Sequence, residues 1–175
     1  MRNANTKKIA YVALLLACAL IISIVESFIP PLIPMLPMIK FGLSNVVILF
    51  TYIVLGGVPA YTVLILRCFF AAVFSGNFFS LAFSLPAGLI SLTSGILLLK
   101  TSKNSLIMVS ATEAIIHNFV QIIVASFVMN TTAVFLYLPY LFVIGGLSGM
   151  ATGFIAALII KKIPIKYFLQ INGSK

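Results

Sequence analysis

Acidic side chains are almost missing from this chain. Its 175 residues include two, Glu26 and Glu113, and no aspartate at all. Aspartate-rich magnesium motifs are therefore excluded. Histidine occurs once, at His117, and cysteine twice, at Cys18 and Cys68. One histidine and two cysteines without metal spacing make neither a zinc site nor a disulfide framework, so no metal is expected. Both cysteines lie in apolar runs and are expected to be buried thiols. No Walker-type phosphate loop occurs, so the chain does not hydrolyse ATP by that route. No nucleophile–base pair is evident, and no enzyme activity is expected. Charged residues make up 7% of the chain against 62% hydrophobic ones, with a mean hydropathy of +1.25. Such a chain cannot stay soluble as a monomer. It reads as an integral membrane protein whose function lies in the polar groups that lipid would exclude.

The formal charge of +9 suggests nucleic acid only until its distribution is considered. Nine of the eleven Lys and Arg residues are Arg2, Lys7, Lys8, Lys100, Lys103, Lys161, Lys162, Lys166 and Lys175. They fall where cytoplasmic ends are expected, which is the positive-inside pattern of a multi-pass protein of the cytoplasmic membrane. The first apolar run is too long for a secretion signal and lacks a small-x-small cleavage site, so it reads as a permanent span. Six spans are predicted, at about residues 9–29, 41–55, 60–74, 78–99, 105–129 and 134–160. They form one all-α membrane domain, a six-transmembrane-helix bundle with both termini cytoplasmic. Pro30, Pro31, Pro34 and Pro37 make residues 30–40 a stiff external loop, because proline lacks the backbone donor a helix needs. Pro86 predicts a kink in the fourth span.

Seven polar or charged residues stand out from the apolar background: Glu26, Lys40, Arg67, Glu113, His117, Asn118 and Gln121. Arg67 and Glu113 both fall about 10–12 Å from the cytoplasmic interface at ~1.5 Å per residue. Matched depth and opposite charge predict an ion pair, which either locks the third and fifth spans together or opens for a substrate or a proton. Glu113, His117 and Gln121 recur every four residues, with Ser110 and Asn118 beside them. One face of the fifth span is thus polar through the membrane centre and calls for a wet cavity or polar partners. Glu26 and Lys40 flank the Pro-rich loop, where they pair with each other or meet an anionic solute. Asn45 opens the second span, as its cap or as a ligand contact. Gly145, Gly149, Gly153 and Ala157 form a small-residue stripe suited to close helix packing. Ala13 and Ala17, with Ala10 one turn earlier, form a second one in the first span. Phe69, Phe70, Phe74, Phe78, Phe79 and Phe83 crowd the turn between spans three and four.

These landmarks carry a resemblance. Ala13/Ala17, Glu26, Pro30-Pro31, the run Lys40-Phe41-Gly42-Leu43-Ser44-Asn45, the central Arg67 and the run His117-Asn118-Phe119-Val120-Gln121 resemble the Gx transporter family, whose members are often labelled heptaprenyl diphosphate synthase component I. That family looks like the substrate-binding S-components of energy-coupling factor vitamin transporters. The resemblance covers nearly the whole chain. It implies a six-helix subunit that captures a small solute, a micronutrient or an isoprenoid- or quinone-related compound, outside the cell. Its partners would be a transmembrane coupling subunit and two ATPase subunits, which would bind the ATP. Ala13 and Ala17 match the motif that contacts the coupling subunit. The synthase label implies a second setting, a non-catalytic membrane subunit beside prenyl diphosphate synthesis; a stand-alone proton-coupled carrier is a third.

Overall fold

The computed structural model describes residues 2–28, 42–101 and 105–162. The Pro-rich loop with Lys40, and the basic residues after Lys162, lie outside the described residues. Six helices follow in order: α1 (Arg2–Ser27), α2 (Asn45–Leu55), α3 (Gly57–Ser75), α4 (Phe79–Thr101), α5 (Leu106–Met129) and α6 (Leu138–Lys162), with a 3-10 turn (Ala133–Tyr137) leading into α6. Five segments are long and apolar enough to cross a membrane: Thr6–Ser27, Gly57–Ser75, Phe79–Thr101, Leu106–Met129 and Ala133–Lys162. The chain is a multi-span membrane protein. Leu14, Ile21, Phe74, Phe127, Leu136 and Val143 are exposed on its sides, as suits surfaces that meet lipid tails.

The second predicted span is the exception. α2 has 11 residues, about 16 Å of helix against a hydrocarbon core of about 30 Å. Its ends are cut by backbone that ordinary residues avoid. Gly42 has φ +76 and Gly56 has φ +91, both in the region that favours glycine. The short helix nonetheless occupies the centre. Among the described elements, α2 packs against all five other helices, and no other helix does so. α1 lies on α2 and α3; α3 on α4; α4 on α5; α5 on α6.

Pro86 lies inside α4, which continues through it to Thr101. The glycine stripe of α6 is spent on α5. A side chain at Gly149 would begin 2.6 Å from Ala111 Cα, and one at Gly153 would begin 2.7 Å from Ser110 Cβ. Only bare backbone lets the two helices approach this closely. Two apolar clusters result. Ala19, Ile48, Ala60, Val63, Leu64, Cys68 and Leu92 form one across α1–α4. Phe83, Ile122, Ala125, Val134 and Leu141 form the other across α4–α6. The expectation of two buried thiols is corrected by half: Cys68 is buried, but Cys18 is exposed on α1. Among the described helices, α1 packs only on α2 and α3, and none covers the face that carries Cys18.

Candidate functional site: a buried polar network centred on α2

The buried polar side chains are Ser23 and Glu26 on α1, Ser44 and Asn45 at the start of α2, Thr51 on α2, Arg67 on α3, Ser91 on α4, and Ser110, Glu113, His117, Asn118 and Gln121 on α5. Asn45 is their hub. As the first residue of α2 it makes no cap; it turns inward. Arg67 Nη2 donates to Asn45 Oδ1 at 3.0 Å, and Arg67 Nη1 donates to Ser23 Oγ at 3.2 Å. Asn45 Nδ2 meets His117 Nδ1 at 3.0 Å. A guanidinium only donates, so Asn45 must present its oxygen to Arg67 and its NH2 group to His117. Nδ1 of His117 therefore accepts, which leaves the ring hydrogen on Nε2. The ring also meets the backbone of Ala87 in α4. Four helices, α1, α2, α3 and α5, are thus joined by hydrogen bonds whose direction is set by one arginine.

Glu26 extends this region toward the loop. Its Oε1 accepts from Gly42 N at 2.6 Å. A Cβ at Gly42 would stand 3.0 Å from Asn45 Nδ2 and 3.2 Å from His117 Cδ2. Glycine there serves twice: it takes the positive φ, and it leaves room for the network. Where the chain re-enters at Gly42, the backbone lies directly over the Asn45–His117 contact.

The expected Arg67–Glu113 ion pair does not form. Arg67 is engaged by Ser23 and Asn45, whereas Glu113 faces α4. A Cβ at Gly95 would collide with its carboxylate and lie 2.7 Å from its Cγ. Equal depth does not bring two side chains together when their helices are not neighbours, and α3 and α5 do not pack on each other. Glu113 Oε1 has no hydrogen-bond partner among the described residues.

The polar face expected on α5 is real, and all five of its members are buried. It splits in two directions, however. His117 turns to α2, while Asn118 Nδ2 donates to Leu141 O of α6 at 3.3 Å. Several polar atoms remain unsatisfied: Ser44 Oγ, Arg67 Nε, Asn118 Oδ1 and Gln121 Oε1 have no partner among the described residues. Buried polar atoms are nearly always paired in native proteins, and these four are exceptions. No three His, Cys, Asp or Glu side chains gather among the described residues to hold a metal ion.

Ala10, Ala13 and Ala17 are exposed together on α1, forming a smooth strip on the least covered span. The phenylalanines divide. Phe69, Phe74, Phe78 and Phe79 are exposed, and Phe83 is core; Phe70 stacks on Phe74 and Phe79 meets Phe83 edge-on. Two residues of this region carry no mark in a reading of isolated charges. Ser23 falls on the buried face with Ala19 and Glu26, a spacing of four and three that was the available signal. Gly95 is a lone glycine in an apolar run, and only the structure shows what its missing side chain admits.

No curated protein and no solved structure matches the chain. Residues 15–159 match the family model described as heptaprenyl diphosphate synthase component I. That match spans most of the chain, including every residue of the network, and the protein belongs to the heptaprenyl diphosphate synthase component I family.

Proposed function

We propose that this protein is the solute-binding membrane subunit, an S-component, of an ATP-driven energy-coupling factor importer. The observation that carries the reading is the set of buried, unpartnered atoms beside the Arg67–Asn45–His117 network. Arg67 Nε donates, Asn118 Oδ1 and Gln121 Oε1 accept, and Ser44 Oγ does either. A solute head group with both donors and acceptors satisfies them. The charged group in the network is the buried Arg67, so the solute is neutral or anionic rather than cationic. The exposed phenylalanines near the α3–α4 turn offer an apolar wall for the rest of an amphiphilic micronutrient or an isoprenoid- or quinone-related compound. Entry is from outside the cell, on the side where Glu26 holds Gly42 over the network, with both termini cytoplasmic.

The smooth Ala10–Ala13–Ala17 strip supports the second half of the reading. Small side chains let a partner helix approach closely in lipid, where no hydrophobic force drives association. The partner is a transmembrane coupling subunit carrying two ATPases, which bind the ATP. The chain itself does no chemistry: it has no aspartate and no nucleophile–base pair.

The family's description favours a second reading, a non-catalytic membrane subunit associated with prenyl diphosphate synthesis. Affinity purification from native membranes separates the two. The importer reading expects a membrane coupling subunit with two ATPases. A soluble prenyl synthase in their place supports the second reading and removes the first.

A further inference from the structure

Glu113 stands outside the Arg67–Asn45–His117 network, and its surroundings point to an occupant of its own. It is 2% exposed, and its Oε1 has no hydrogen-bond partner among the described residues. The carboxylate borders a narrow void of about 140 Å³ lined by Asn45, Ile48, Leu64, Gly88, Ser91 and Leu92, nowhere wide enough for a water molecule. The polar neighbours are already committed. Ser91 Oγ donates to Gly88 O, and Asn45 serves Arg67 and His117. No described positive group faces the carboxylate. α2 carries no charged or titratable side chain there; Lys100 of α4 and Lys161 and Lys162 of α6 are exposed at helix ends. Arg67 is held by Ser23 and Asn45, and His117, one turn further along α5, is held by Asn45. A bare carboxylate at membrane depth without a positive partner is costly. Gly95 nevertheless keeps the space for it, since any side chain there would strike the carboxyl group.

We propose that Glu113 carries a proton, so that a neutral carboxyl group sits at the interface of α2, α4 and α5. A metal ion, sodium included, would need several oxygen or imidazole ligands, and the polar atoms bordering the void beside Glu113 are already bonded elsewhere. Because Asn45 borders the same void, the occupant sits next to the hub of the polar network. With the proton in place, α4 and α5 pack as they do here with no net charge from Glu113 between them. The proposal does not depend on the importer reading: it concerns the chain alone, and a protein with any other function would show it.

The composition makes the test clean. Glu26 and Glu113 are the only side-chain carboxyls in the sequence. Infrared spectra are recorded on the full chain in lipid nanodiscs at neutral pH, in sodium and in choline chloride, for the wild type, Glu26→Gln and Glu113→Gln. A protonated-carboxyl band that persists in Glu26→Gln, is lost in Glu113→Gln and ignores sodium identifies the occupant as a proton. A carboxylate band that shifts when sodium replaces choline, and is lost in Glu113→Gln, overturns the proposal. Thermal melting gives a second readout. The dependence on pH present in the wild type is lost in Glu113→Gln, whose neutral amide imitates the protonated carboxyl. If Glu113→Gln does not fold, the Glu26→Gln spectrum decides alone, because Glu113 is then the only side-chain carboxyl left. An ionised carboxylate in that variant at neutral pH overturns the proposal.

Discussion

Arg67 Nη2 lies 3.0 Å from Asn45 Oδ1, and this contact decides where the hydrogen sits on His117. The arginine can only donate, so the asparagine amide is oriented by it, and the imidazole must accept at Nδ1. His117 is the only histidine in the chain, so nitrogen NMR of the ring reads it without ambiguity. The expected spectrum has Nδ1 bare and Nε2 protonated. Replacing Arg67 by Met frees Asn45 to flip, and a mixture of ring forms should appear. A wild-type ring protonated at Nδ1 would contradict the geometry.

Asn45 holds three helices together, so its loss should be felt in stability. Asn45→Ala leaves Arg67 Nη2 and His117 Nδ1 without these partners. A buried polar atom left unpaired costs about 1–3 kcal/mol, so the variant should melt well below the wild type in detergent or nanodiscs. Gln121→Leu should melt near the wild type, because Gln121 Oε1 has no partner to lose. Equal melting of the two variants would show that the Asn45 contacts are not formed.

Close helix packing predicts a different pattern for glycines. Gly95→Ala forces the Glu113 carboxyl group from its place, and Gly149→Ala drives Cβ against Ala111 and Ser110 of α5. Overpacking of this kind costs about 1–3 kcal/mol. Gly57→Ala should be mild, because nothing lies within 4 Å of the added Cβ. Combining Gly95→Ala with Glu113→Ala should recover part of the loss, since the colliding group is then gone. Additive losses in the double variant would mean that the two residues do not meet.

The legibility of this molecule in its sequence was uneven, for physical reasons. Long apolar runs reveal helices directly, and five of six spans lay close to their expected places. α2 was read as starting four residues too early, because an apolar stretch does not show that Gly42 turns the backbone; its end at Leu55 was read correctly. The polar face of α5 was visible from its spacing of four, and the α6 glycine stripe from the same rule. The Arg67–Glu113 pair was inferred from matched depth and opposite charge. Depth gives position along a helix axis but not which neighbour a side chain faces, and that is a tertiary property. Gly95 and Ser23 escaped notice because their importance comes from what stands opposite them.

The exposed alanine strip predicts a separation of functions. Replacing Ala13 and Ala17 with Trp adds bulk on a face that no described helix covers, so folding and solute binding should be unaffected. Association with the coupling subunit and ATP-driven uptake should be lost. Normal uptake by the double variant would remove α1 as the docking face.

The central claim is that the polar network captures a solute, and mass spectrometry of small molecules retained by the purified protein tests it most directly. The account predicts one amphiphilic, neutral or anionic compound, retained by the wild type and depleted in Gln121→Leu although that variant melts normally. A protein that retains no such compound after mild purification from its native membrane, or a Gln121→Leu variant that retains it equally well, would contradict the account.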